Sequence, residues 1–138
     1  EREIGEDNVA SIRLEMGQVM NENLAVFREK DGMEAANRKI VELKEKARNV
    51  GIRDKGRVYN TALLFSLELE FMLDCAEVIA VSGLSREESR GAHFRVDMRE
   101  RDDKNFLKHT VATKTEKGPD ISFSPVTITR WQPEERKY

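Results

Sequence analysis

The residue types that most often carry out chemistry in proteins are few in this sequence and stand far apart. The two histidines, His93 and His109, are sixteen positions apart, and the single cysteine, Cys75, falls in another segment. A stable metal site needs several ligands at workable spacing, and no such pattern occurs. Ser89 stands four positions before His93, but no third group orients the pair as in a nucleophilic triad. The sequence therefore predicts no metal site and no catalytic residue.

Phosphate and nucleic-acid binding are also disfavoured. Gly83 and Gly91 are isolated, and neither a GxGxxG nor a Walker sequence is present, so no local nucleotide site is predicted. The net charge of −2 argues against a general affinity for nucleic acid, which needs a basic face. No apolar run approaches the roughly 20 residues that span a bilayer, so direct membrane insertion is not expected.

One segment carries an unusual density of charge. Residues 86–104, called here the charged segment, contain six basic and six acidic side chains, so their charges cancel. Five of the six bases are arginine, whose planar guanidinium pairs with carboxylates in a bidentate manner and tolerates burial better than lysine. A solvated loop of weak ion pairs, the alternative that composition leaves open, would not require that preference. We interpret the segment as a docking interface.

The candidate docking residues are Ser89, Arg90, Gly91, His93, Arg95, Asp97, Arg101, Asp102 and Asp103. Within this set, Gly91 suits a backbone turn with positive φ at a helix end. His93 is expected to be a hydrogen-bonded structural side chain.

The elements that must position this segment are helical. Apolar residues at spacings of three and four predict three amphipathic helices. The first is capped by Asp7 or Asn8. The second runs from about Asp31 to Asn49, and its apolar stripe is formed by Met33, Ala36, Ile40, Leu43 and Ala47. The third carries the strongest stripe, formed by Leu63, Leu64, Leu67, Phe71, Cys75, Val78 and Ile79. We expect Leu67, Phe71 and Ile79 to be buried in the core.

The remainder of the chain has a β pattern. Phe106–Thr113 and Asp120–Thr129 are rich in β-branched residues, and the turn signal Glu116–Pro119 lies between them, so a hairpin is predicted. An isolated hairpin is only marginally stable in water and must pack on something. The predicted fold is mainly α, with an antiparallel three-helix bundle over residues 1–88. The extended tail of residues 89–138 holds a charged loop, which is the charged segment from Ser89 onward, and the β-hairpin. Both pack on the bundle as part of one domain.

The sequence REESRGAHFRVDMRERDDKNFLKH, from Arg86 to His109, resembles the C-terminal helical domain of succinate dehydrogenase and fumarate reductase flavoprotein subunits. In that family a long helix ends in an ESRGAH run that is followed by RDD. Glu15–Ala36, Tyr59–Ala80 and Trp131–Tyr138 resemble other parts of the same domain. Phe106 departs from the family, which usually has tryptophan there, and the proline often found at Met98 or Arg99 is missing.

This resemblance implies a piece of a longer flavoprotein, in keeping with a first residue that is not methionine. The parent protein would use FAD to interconvert succinate and fumarate and would pass electrons to an iron–sulfur subunit. None of the flavin-binding or substrate-binding motifs is present here, so no cofactor-binding or catalytic residue is assigned, and we expect the chain alone to be inactive.

The expected partners are the flavin-binding domain of the same chain and the iron–sulfur subunit, without nucleic acid. The expected location is cytoplasmic, with association to the membrane through the parent complex. Two alternatives remain open. One is the C-terminal domain of L-aspartate oxidase, and the other is a stand-alone helical interaction module.

Overall fold

The structure, a computed structural model, describes residues 8–52 and 54–134. In chain order the elements are α1 Val9–Asn23, β1 Phe27–Arg28, α2 Lys30–Arg48, α3 Thr61–Ser85, β2 Phe94–Arg95, α4 Asp103–Phe106, β3 Lys108–Thr115 and β4 Gly118–Pro125. The mainly α prediction, with three long helices followed by a hairpin, is confirmed. Asp7 and the last part of Trp131–Tyr138 lie outside the described residues. No helix among those described is both long and apolar enough to cross a membrane.

Side-chain caps fix where the first and third helices begin. The Asn8 side chain accepts a hydrogen bond from the backbone amide of Ser11 at 2.9 Å, and the Ser11 hydroxyl accepts one in return from the Asn8 amide at 3.3 Å. Asn60 caps α3 by accepting from the amide of Leu63 at 2.8 Å. Each cap satisfies amides that the first helical turn leaves without a partner.

The core lies where the three long helices meet. Its buried apolar residues on these helices are Ile12, Met16, Met33, Ala36, Ile40, Leu43, Leu69, Leu73, Ala76 and Ala80. The stripe predicted on α2 is buried as expected from Met33 to Leu43. Because each helix contributes residues at helical spacing, the bundle is held by burial of apolar area.

The predicted core stripe on α3 is wrong. Leu67 is 49% exposed, Phe71 is 66% exposed and Ile79 is 44% exposed. The helix instead buries its opposite side, through residues such as Leu69 and Leu73. Because α3 carries apolar side chains on both sides, their spacing alone did not identify which side faces the bundle. We call Leu64, Leu67, Phe71, Cys75 and Val78 the outer stripe.

The hairpin is confirmed, and its turn is shorter than the predicted Glu116–Pro119. β3 and β4 are antiparallel, with Thr115 opposite Gly118, so the turn consists of two residues and Pro119 already belongs to β4. Proline is tolerated there because neither strand of a two-stranded sheet is internal. The hairpin contacts the bundle through the Lys114 ammonium, which lies 2.6 Å from a carboxylate oxygen of Asp74 on α3.

Substitutions on the two sides of α3 should separate core from surface. Leu73 is 1% exposed, so Leu73→Ala should lower the free energy of unfolding by about 2–5 kcal/mol, because it removes buried methylene groups and leaves a cavity. Leu67→Ala is the matched control in the same helix and should cost clearly less. Urea denaturation of both variants measures the difference, and equal losses would contradict the assigned orientation of α3.

Candidate docking site

The charged segment is organised around a buried carboxylate, Glu88, whose side chain is 0% exposed. Its Oε1 accepts hydrogen bonds from Arg86 at 2.6 Å and from Arg90 at 2.9 Å. Its Oε2 accepts from Arg90 at 3.0 Å and from the backbone amide of Asp102 at 2.9 Å. A buried anion is tolerated only when it is paired and hydrogen-bonded in this way.

The charge of Glu88 is retained despite its burial. Burial by itself would raise the pKa of Glu88, but the hydrogen bonds from Arg90, Arg86 and the Asp102 amide outweigh it and hold the pKa below its ordinary value. The prediction had not included Glu88 or Arg86 among the site residues. The signal that could have found them is an acid placed two residues from an arginine on each side.

Arg86 joins the end of α3 to the hairpin. Its guanidinium donates to the carbonyl of Lys108 at 3.1 Å and to the hydroxyl of Thr110 at 2.9 Å. It also donates to the carbonyl of Phe106 and lies 5.7 Å from the centre of that ring. Lysine lacks the fork needed to reach several acceptors at once, so this junction requires arginine.

Ser89 and Arg95 hold the middle of the segment in place. The Ser89 hydroxyl accepts from the Arg95 amide at 2.8 Å and donates to the carbonyl of Met98 at 2.7 Å. The Arg95 side chain, 1% exposed, makes a bidentate pair with Asp97 at 2.8 and 2.6 Å. Asp97 also accepts from the backbone amide of Lys30 at 3.2 Å, so this pair reaches the start of α2.

These hydrogen bonds shift the ionisation of both partners. The bond from Arg95 is the main cause that holds the pKa of Asp97 far below its ordinary value, and the same bond raises the pKa of Arg95. Both groups therefore stay charged throughout the neutral pH range, and the pair is a permanent link between the segment and α2.

His93 contacts the connector between α1 and α2. Its Nδ1 lies 3.0 Å from a guanidinium nitrogen of Arg28, and β1 and β2 pair in parallel beside it. Burial, and then the charges of Arg28, Arg95 and Arg86, lower the pKa of His93 below its ordinary value. The ring is thus neutral, accepts the hydrogen bond from Arg28 at Nδ1, and matches the structural role expected of it.

We call Gly91, Asp97 and Asp103 the rim of the charged segment, because these residues are exposed to solvent. Asp103 accepts from Arg90 at 2.7 Å and from Arg101 at 2.5 Å, and its side chain is 40% exposed. The Asp102 side chain caps α4 by accepting from the Asn105 amide at 3.0 Å. Gly91 is exposed and has a φ of +59°, the left-handed turn predicted for it.

The structure thus brings eight of the nine predicted residues into one network with Glu88 and Arg86, and Gly91 forms the turn beside them. Most of their polar groups are used inside the domain, and Ser89 and Arg95 are buried. The docking role therefore stays a prediction, and the exposed residues Gly91, Asp97 and Asp103 are those that a partner can reach.

The described residues form no metal site, since no group of three or more His, Cys, Asp or Glu side chains among them could hold a metal ion. A cleft of about 1070 Å³ lies between α2, α3 and the hairpin. Lys44 in this cleft pairs with Asp74 at 2.7 Å and Glu77 at 2.6 Å, so these three charges are already used within the domain.

The chain is similar in sequence to a known family and to several known proteins. The family described as fumarate reductase flavoprotein C-term matches residues 13–138. The fumarate reductase flavoprotein subunit of Haemophilus influenzae is 47% identical over 135 residues, covering 97% of this chain and 22% of that protein. The succinate dehydrogenase flavoprotein subunit of Coxiella burnetii is 40% identical over 122 residues, covering 88% and 20% respectively.

A solved structure is similar to this chain over almost all of its length. A chain of E. coli quinol fumarate reductase superimposes with a TM-score of 0.91 at 42% identity, covering 96% of this chain and 23% of that one. The chain therefore spans about a fifth of the length of the curated relatives that it matches.

Removal of the Glu88 charge should destabilise the domain strongly. Glu88→Gln leaves Arg86 and Arg90, which are largely but not fully buried, without their shared anion, and this should cost about 3–5 kcal/mol of unfolding free energy. The control is Glu45→Gln, because Glu45 pairs with Arg48 at 2.7 Å on the exposed surface of α2 and should cost about 0–1 kcal/mol. Urea denaturation at neutral pH measures both variants, and equal costs would contradict the central role of Glu88.

The difference in unfolding free energy between the wild type and Glu88→Gln should depend on pH. Because the pKa of Glu88 is lowered on folding, the unfolded chain binds the proton first as the pH falls. The stabilisation by Glu88 is therefore complete above the ordinary glutamate pKa of about 4.3 and is lost as the pH falls through the folded value. The difference in unfolding free energy between the wild type and Glu88→Gln should therefore narrow as the pH falls from the ordinary glutamate pKa through the lower pKa of Glu88 in the folded domain.

Proposed function

The chain belongs to the fumarate reductase flavoprotein C-terminal family, and from this membership we propose the function of the protein that contains it. That protein is an FAD-dependent flavoprotein subunit that interconverts succinate and fumarate and passes electrons to an iron–sulfur subunit. The observation that carries the proposal is the family match over residues 13–138, together with 42–47% identity to fumarate reductases.

Within that protein, this domain serves docking and assembly. The charged groups around Glu88 are paired with one another, so we assign them no substrate carboxylate. In the cleft between α2, α3 and the hairpin, Lys44 is paired with Asp74 and Glu77, and we assign no flavin to it. FAD is therefore assigned to the remainder of the subunit, and no catalytic residue is assigned to this chain.

The partners of this domain are the flavin-binding domain of the same subunit and the iron–sulfur subunit. The exposed rim of the charged segment, with Gly91, Asp97 and Asp103, fits the polar edge of such an interface. The subunit would lie in the cytoplasm and reach the membrane through the parent complex.

The two alternative functions are less well supported. The relatives at 40–47% identity are succinate dehydrogenase and fumarate reductase subunits, which favours this branch over L-aspartate oxidase. These relatives carry the domain within a chain about four to five times as long, which favours a part of an enzyme over a stand-alone module.

Activity should require the rest of the subunit. The full-length flavoprotein should contain flavin and reduce a dye in the presence of succinate, whereas the 138-residue chain should neither bind FAD tightly nor support turnover. Absorption spectra and dye-reduction assays on both proteins test this. Turnover by the chain alone would contradict the docking role, and a full-length protein without flavin would contradict the proposed reaction.

The rim of the charged segment should affect assembly more than folding. Asp103→Asn in the full-length flavoprotein removes a partly exposed charge that bridges Arg90 and Arg101, so it should weaken co-purification with the iron–sulfur subunit while changing Tm little. Glu34→Gln is the matched control, because Glu34 is 41% exposed and also bridges two bases, Lys30 and Arg38. Equal co-purification of both variants would exclude docking through Asp103.

A further inference from the structure

The outer stripe of α3 is an apolar surface that is largely exposed in this domain, with only Val78 half-buried. Leu64 is 51% exposed, Leu67 is 49% exposed and Phe71 is 66% exposed, and Cys75 is exposed as well. Residues 64–78 extend along about 21 Å of the helix, at a rise of about 1.5 Å per residue. Contiguous exposed apolar side chains of this kind mark interaction sites.

The helix has the composition of an internal element. Its inner side is packed into the bundle by Leu69, Leu73, Ala76 and Ala80. A helix that is apolar on both sides belongs in the interior of a larger protein, since a solvated side would carry polar residues. The outer stripe therefore requires a second apolar surface outside the described residues.

We propose that the outer stripe is buried against the remainder of the flavoprotein subunit's own polypeptide, an inference that rests on the proposed function. The chain covers 22% of the Haemophilus influenzae subunit and 23% of the E. coli reductase chain, so about three quarters of the polypeptide is available to cover the stripe. A surface of the same polypeptide is present at a high effective concentration near the stripe. Permanent contacts are also more hydrophobic than transient ones.

Other occupants fit the surface less well. A second copy of the chain would bring the same face against itself, and Glu68 and Glu70 on α3 would then meet like charges at its edges. The iron–sulfur subunit is a separate chain, so its surface lacks the high effective concentration of a surface on the same polypeptide. The charged segment, with its polar rim, fits a separate partner better than the outer stripe does.

Cys75 is a built-in probe of this contact, because it is the single cysteine of the 138 residues and lies on the outer stripe. In the folded full-length flavoprotein, purified without the iron–sulfur subunit, a thiol reagent should label Cys75 about tenfold or more slowly than in urea. Mass spectrometry of the Cys75 peptide gives the rate. Phe71→Asp should restore fast labelling by separating the surfaces. Leu14→Asp, at an exposed apolar position on α1, is the matched control and should leave Cys75 protected.

The outcomes distinguish the occupants. Cys75 that reacts in the folded flavoprotein as fast as in urea overturns the proposal. Protection that requires the iron–sulfur subunit, or that rises with protein concentration, also overturns it and assigns the stripe to another occupant. Flavin content and succinate-dependent dye reduction are measured on the same sample. An active sample with fast labelling rejects only the covering of the stripe, whereas an inactive sample without flavin rejects the proposed function and this inference with it.

Discussion

The buried charge of Glu88 is the constraint on which the second half of the structure depends. A carboxylate removed from water is stable only if its lone pairs are satisfied, and here two guanidinium groups and one backbone amide satisfy them. The two guanidinium groups come from the end of α3 and from the turn that follows it, and the amide comes from Asp102, fourteen residues along the chain. An irregular segment is thereby held in one conformation without an apolar core of its own.

The domain separates its polar and apolar contacts in an unusual way. The densest charges are turned inward and paired, while α3 leaves leucine and phenylalanine side chains in contact with solvent. In a free-standing protein the reverse arrangement is typical. This inversion agrees with the proposals that the domain belongs to a longer subunit and that the apolar face of α3 and the rim of the charged segment serve different contacts.

The sequence predicted most of the fold and less of the site, for identifiable reasons. The buried side of α2 was predicted correctly because its opposite side is charged, so only one side of the helix could face the core. α3 is apolar on two sides, so the spacing of its apolar residues is compatible with either side facing the core. Glu88 was missed because nothing local distinguishes a buried acid from a solvated one, and its burial depends on Asp102 and Arg86. Gly91 was identified because a positive φ is a local property of the backbone. The turn was predicted two residues too long, because Gly118 and Pro119 are turn residues that the first positions of an outer strand also accept.

The short parallel pairing of β1 with β2 also affects the order in which the domain folds. Phe27 lies opposite Phe94, so the contact closes a loop of 67 residues that contains all of α2 and α3. Contacts so distant in sequence form slowly, because the chain between them must first be brought together, whereas a helix pair closes through local contacts. This separation predicts that the bundle forms first and that the charged segment acquires its conformation after the connector between α1 and α2 is in place. On the proposed docking role, the surface offered to a partner would be complete only after this late step.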